Sequence, residues 1–295
     1  MLLDPQLLSS IADLELVARV TVDGTVAGLH RSPFHGYSAE FTQYRHYRPG
    51  DDLKYIDWKL LARTDRVYTK QYLETTNLLA QLVVDASASM GFSGRNGVSK
   101  LDYARLAAAA LAHLSVRQGD AAGLVVFDDR VREYLPSRPG QPHLRRLLVT
   151  LSKVRASGET RPATPLRRAA DLLKRRGSLI VFSDLYDEDI ATEAELRRAA
   201  RIGHDVTVFH VLTPEEIDFG YGGDVEFEDL ESHRTLLANA PAARDAYRAE
   251  FAAFLERWRT RCASYGIDYT RLTTDMPLDS ALREYLFKRT AARTP

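Results

Sequence analysis

The chain has 295 residues, 45% of them hydrophobic, and its 40 basic and 40 acidic side chains leave no formal net charge. That balance gives no global reason to expect nucleic acid or an anionic membrane as partner. The single cysteine, Cys262, excludes an internal disulfide and a multi-cysteine metal site.

No run approaches the ~18–20 consecutive apolar residues of a membrane span, and Met1-Leu2-Leu3-Asp4-Pro5 does not read as a signal peptide. The expectation is a soluble, cytoplasmic protein. Asp4 to Val20 reads as a helix: Asp4 caps it, Pro5 suits its first turn, and Leu7, Leu8, Ile11, Leu14, Leu16 and Val17 form an apolar stripe. From Val22 to Glu74 the chain is rich in Tyr, His, Arg and Gly. Alternation over Ser38–Tyr44 and Arg66–Tyr72 predicts strands, with Pro49-Gly50-Asp51-Asp52 as a turn. Residues 1–76 are therefore expected to form an N-terminal helix and a small β-rich subdomain.

From Asn77 strands and helices alternate. The apolar run Leu78–Val84 predicts a buried strand ending at Asp85, followed by a helix over Lys100–Gln118 and a strand over Ala121–Phe127. Val131–Leu135 reads as a short antiparallel edge strand, and Pro142–Lys153 and Pro165–Arg175 as helices. Then come a strand over Ser178–Phe182, a helix over Ala191–Ile202, a strand over Asp205–Leu212 and short strands around Val225–Leu230. The series closes with a long helix over Ala242–Ser264, a strand over Ile267–Leu272 and a last helix over Leu278–Thr290. Repeated β-α units of this kind predict an α/β fold with a doubly wound, mostly parallel, Rossmann-like sheet over residues 77–295.

Asp85, Ser87 and Ser89 form a D-x-S-x-S run at the end of the first strand, the sheet edge where ligands bind in open α/β folds. Thr164, ahead of the helix beginning Pro165-Leu166, and Asp184, after the strand Leu179–Phe182, lie at two further strand–helix junctions. Carboxylates at the ends of neighbouring parallel strands lie close together, the strands being about 4.7–4.9 Å apart. The resulting all-oxygen set suits a hard divalent cation, Mg²⁺ before Mn²⁺ or Ca²⁺, with a coordination position left for a partner's carboxylate. Thr160, in Ser157-Gly158-Glu159-Thr160, competes for the threonine role; Thr164 is preferred because it leads directly into a helix. The bland alternative is a strand-end turn with a helix cap, for which Ser and Asp are equally suited.

The D-x-S-x-S…T…D arrangement resembles the metal-ion-dependent adhesion site of von Willebrand factor A (vWA) domains. Upstream, Tyr44-Arg45-His46-Tyr47-Arg48-Pro49-Gly50-Asp51-Asp52, then Ile56-Asp57-Trp58-Lys59, Ala62-Arg63 and Lys70, resemble the signature of the DUF58 family, which is built on a vWA-like domain. The resemblance covers roughly residues 25 to 290. It implies a metal-dependent protein-interaction module whose metal residues are Asp85, Ser87, Ser89, Thr164 and Asp184. It also implies a protein partner, a MoxR-type AAA+ ATPase or that ATPase's client, in complex assembly or maturation.

Arg45, Arg48, Lys54, Lys59, Arg63, Arg66 and Lys70 are interleaved with Tyr44, Tyr47, Tyr55, Trp58 and Tyr68. Such a pattern can bind single-stranded nucleic acid, or form a protein-docking surface. The simpler expectation is that Asp51, Asp52 and Asp57 pair with the arginines while the aromatics pack. No G-x-x-x-x-G-K-[ST], G-x-S-x-G or H-E-x-x-H motif occurs, and no catalytic residue is assigned. The nearest enzymatic alternative, a Mg²⁺-dependent phosphoester hydrolase of haloacid-dehalogenase type, needs an acid two residues after Asp85, where Ser87 stands. Gly220-Tyr221-Gly222-Gly223 reads as a flexible turn, and Cys262 as helix packing.

Overall fold

The computed structural model describes residues 15, 18, 19, 21, 22, 39–48, 56–74, 78–186 and 190–291. Of the predicted N-terminal helix, residues 15, 18 and 19 are helical, as are 21 and 22; its remainder and the Pro49–Asp52 turn lie outside the described residues. The chain divides into two compact units, Phe34–Leu78 and Met1–Pro33 with Leu79–Pro295. From the sequence a single division between 76 and 77 is expected.

In the smaller unit, β1 (Ala39–His46) and β2 (Tyr68–Glu74) pair antiparallel, with an irregularity between Phe41 and Gln43. Between them lies a helix that the sequence reading does not contain, α1 (Trp58–Thr64). Asp57 starts it: one carboxylate oxygen accepts from the backbone N–H groups of Lys59 and Leu60 at 3.0 Å each, and the other accepts from the Tyr44 hydroxyl at 2.9 Å. This is an N-cap, which satisfies donors that a helix start otherwise leaves open. Asp65, left-handed at φ 55°, ends the helix about two turns later.

The larger unit is built on six strands: β3 (Leu79–Asp85), β4 (Ala121–Phe127), β5 (Val131–Arg138), β6 (Ser178–Ser183), β7 (Asp205–Leu212) and β10 (Asp268–Thr273). They lie in the order β10-β7-β6-β3-β4-β5, all parallel except β5 at one edge. The chain starts in the middle at β3, winds outward through β4 and β5, then returns to wind the other way through β6, β7 and β10. The reversal lies between β3 and β6, the position at which open α/β sheets hold ligands. A separate hairpin, β8 (Asp224–Glu228) with β9 (Thr235–Asn239), follows β7.

The apolar runs are explained by two-sided burial, because helices cover both faces. On one face Val83, Val125, Leu179, Val181, Val206 and Val208 pack against helices α4 (Ala163–Leu172), α5 (Ile190–Arg201) and α7 (Ala240–Ser264). Helix α2 (Lys100–Arg117) packs on β3, β4, β6 and β7, and α3 (Gln141–Lys153) packs on α2 and the β4–β5 edge. Six of the buried side chains of α2 are the alanines at 104, 107, 108, 109, 110 and 112, and their small size suits a helix enclosed on nearly every side. A short helix, α6 (Pro214–Asp218), opens with a capping box from Thr213 to Glu216, and α8 (Leu278–Ala291) ends the described chain. Among the described residues no helix is long and apolar enough to cross a membrane.

Candidate metal centre at the sheet switch point

Asp85 is the last residue of β3, and β3 pairs with β6 up to Val84 opposite Phe182. The next residues, Asp85 and Ser183–Asp184, thus leave the sheet side by side where its winding reverses. All three are fully buried. The Ser183 hydroxyl donates to one oxygen of Asp85 at 2.7 Å and accepts from the backbone N–H of Leu185 at 3.0 Å. The other oxygen of Asp85 accepts from the backbone N–H of Ser87 at 3.0 Å. The hydroxyls of Ser87 and Ser89 are 3.1 Å apart.

The loop around Ser87 is held from two sides. Ala86 donates to the carbonyl of Phe127 at 2.7 Å and accepts from the N–H of Ser157 at 2.9 Å, and Ala88 donates to the carbonyl of Gly158 at 2.9 Å. Gly158 has φ +83°, a conformation that favours glycine. This docks the segment leading to Thr160 against the D-x-S-x-S loop. The Thr160 hydroxyl is buried without a hydrogen-bond partner. Thr164 lies instead in the first turn of α4, exposed, with no hydrogen bond to Asp85, Ser87, Ser89 or Asp184 among the described residues. The structure brings Asp85, Ser87, Ser89 and Asp184 together, and Thr160 follows the Ser157–Gly158 segment that is bonded to the backbones of Ala86 and Ala88, while Thr164 lies in the first turn of α4.

Lys100, Glu216 and Ser183 are absent from the sequence-based set. The Lys100 ammonium, 1% exposed, donates to one oxygen of Asp184 at 2.7 Å and to Glu216 at 2.6 Å. It lies 4.7 Å from the ring centre of Tyr186. Burial pushes its pKa down, but the charges of Asp184 and Glu216 outweigh burial, and the net direction is upward. Lys100 therefore carries its charge. Glu216 is positioned by the capping box of α6, its second oxygen accepting from the Thr213 N–H at 2.6 Å. The Thr213-Pro214-Glu215-Glu216 spacing is the sequence signal for that box.

Asp85 is pushed up to about 7, first by burial and then by the negative charge of Asp184, while the bonds from Ser183 and Ser87 act in the opposite direction. The other oxygen of Asp184 is buried without a hydrogen-bond partner. Two buried carboxylates that repel each other, one open carboxylate oxygen and nearby serine and threonine hydroxyls form an oxygen-only donor set. That chemistry fits a hard divalent cation. No group of three or more His, Cys, Asp or Glu arranged for a metal occurs among the described residues.

The basic and aromatic block lies in the smaller unit. Asp57 serves as a helix cap there, and Trp58 is 62% exposed instead of packed. Asp51 and Asp52 lie outside the described residues. Cys262 is buried in α7, and burial pushes its thiol up to about 12, which disfavours the thiolate.

The model of the family described as "Protein of unknown function DUF58" matches residues 43–261. The uncharacterized protein Rv1480 of Mycobacterium tuberculosis is 30% identical over 261 residues, which cover 85% of this chain and 79% of that protein. The uncharacterized protein YeaD of Bacillus subtilis is 26% identical over 171 residues, 56% of this chain and 39% of YeaD. Among solved structures, BatB from Bacteroides thetaiotaomicron aligns at 16% identity with a TM-score of 0.45, covering 72% of this chain and 98% of BatB. The SpRpn10 VWA domain aligns at 10% identity with a TM-score of 0.44, covering 70% and 93%. These two structural likenesses bear on neither ligand nor partner.

Proposed function

The chain belongs to the DUF58 family and has a vWA-like fold, and from that premise we propose that it is a divalent-metal-dependent protein-interaction module. The observation that carries this reading is the buried Asp85–Asp184 pair at the sheet switch point, with one Asp184 oxygen unpartnered. A buried polar atom without a partner is costly and calls for an account. Asp85, Ser87, Ser89, Asp184 and Thr160 would hold the cation. Thr164, named by the family resemblance, lies exposed in the first turn of α4. A bound Mg²⁺ would offset the repulsion of the carboxylates and present a coordination position to a partner's carboxylate. Ser183 and the backbone of Ser87 orient Asp85, and Lys100 fixes Asp184, so the site is preorganised for docking.

The partner we propose is a MoxR-type AAA+ ATPase or its client, and the role is docking without catalysis. The test is surface-immobilised protein exposed to a MoxR-type ATPase in Mg²⁺ and in EDTA. Binding that is lost in EDTA, and lost in Asp85→Ala although that variant stays folded, is the expected result. Equal binding by wild type and Asp85→Ala would remove the metal from the mechanism.

A further inference from the structure

Beside the candidate metal centre lies a hollow of about 260 Å³ whose lining includes Ser89 and Lys100. Four of its aromatic rings come from four separate places: Phe219 at the end of α6, Tyr221 in the glycine-rich turn, Phe227 in β8 and Tyr247 in α7. Phe219 stacks on Tyr247 with ring centres 4.3 Å apart and on Phe227 at 5.3 Å, and Tyr221 meets Phe219 and Phe227 edge-on at 5.4 Å each. The Gly220–Gly223 turn, expected to be flexible, is tied down at its first half. Arg244 donates to the carbonyls of Phe219 at 3.1 Å and Tyr221 at 2.6 Å, and the Arg95 guanidinium donates to the carbonyl of Gly220.

The charge in this lining is one-sided. Lys100 faces four carboxylates, Glu215, Glu216, Glu228 and Asp229. Its ammonium is already shared between Glu216 and Asp184. Glu228 meets His233 at 3.1 Å, Glu215 accepts from the backbone N–H of Arg95 at 2.9 Å, and Asp229 accepts from Ser232 and from the Glu231 N–H and is acted on by the charge of Arg234. An aromatic hollow whose lining carries four carboxylates and one ammonium attracts a further cation through its rings and its charge together. A guanidinium suits it better than an ammonium, being planar, more weakly hydrated and able to stack on rings.

We propose that this hollow receives an arginine side chain of the docked protein partner, beside the place where the partner's carboxylate reaches the metal centre. The proposal rests on the reading of this sheet edge as a docking site. It adds the partner's chemistry: an acidic residue and an arginine presented together.

The test is a saturation-transfer NMR titration of the whole protein, in EDTA, with N-acetyl-arginine methylamide and its lysine and citrulline counterparts. Citrulline keeps the shape of arginine without the charge. The expected result is saturable arginine binding, about tenfold tighter than citrulline, as one partly desolvated cation–π contact provides. Binding should weaken in Tyr221→Ala and in the shape-conserving Glu228→Gln. No saturable binding, equal binding of citrulline, tighter binding of lysine or unchanged affinity in both hollow variants would overturn the assignment. The ATPase experiment in Mg²⁺ can fail or succeed independently, because the titration is run without metal.

Discussion

Lys100 brings one positive charge to Asp184 and Glu216, at 2.7 and 2.6 Å, in a place that leaves it 1% exposed. Removing one member of such a group leaves the others buried and uncompensated, which costs about 3–5 kcal/mol. Lys100→Met is therefore expected to lose about that much stability in urea unfolding of metal-free protein at neutral pH; a loss under about 1 kcal/mol would contradict the burial of the network. Leu185 adds a second sign of constraint. It is fully buried and left-handed at φ 51°, directly after Asp184, and such a backbone costs a non-glycine residue about 1–2 kcal/mol. The D-x-S-x-S run and the strand-end position made Asp85, Ser87, Ser89 and Asp184 readable. Lys100 and Glu216 were not, because their ion pairs span 84 and 116 residues of chain. The choice between Thr160 and Thr164 depends on how the 157–160 loop docks, and a preference for helix starts does not contain that information.

At the scale of elements, the buried strands and the longer helices of the larger unit follow from their hydrophobic periods, because burial on one or two faces writes those periods into the sequence. The helices and strand that the sequence did not predict, α1, α6 and β9, have seven, five and five residues, and a 3-10 turn at Ser89–Gly91 has three. Elements this short carry little periodicity; caps at Asp57 and Thr213 start the two helices. Alternating aromatic and basic residues around Trp58 read as β-rich although a one-residue cap sufficed for a helical turn. Packing between elements is testable at Phe209 of β7, fully buried, stacked on Phe182 at 5.0 Å and edge-on to Tyr285 of α8 at 4.8 Å. Phe209→Ala opens a cavity between sheet and helix, with an expected loss of about 3–5 kcal/mol. Chemical denaturation reads this directly, and a loss below about 1 kcal/mol would mean that β7 and α8 do not pack as described.

For the molecule as a whole, strand order decides where function can sit. Because β3 lies between β4 and β6, the two acids at the ends of β3 and β6 meet at the one place where the winding reverses. Parallel strands place their C-terminal ends on the same edge, so the hollow lined by Ser89 and Lys100 opens at that edge as well. Buried acids at that place would be a defect in a scaffold and are an asset in a cation site. Isothermal titration calorimetry of metal-stripped protein with Mg²⁺ and Mn²⁺, beside Asp85→Ala and Asp184→Ala, tests this most directly. Saturable binding to wild type that both variants lose is the predicted result. Folded wild-type protein that binds neither ion, or variants that bind as well as wild type, would contradict the metal centre.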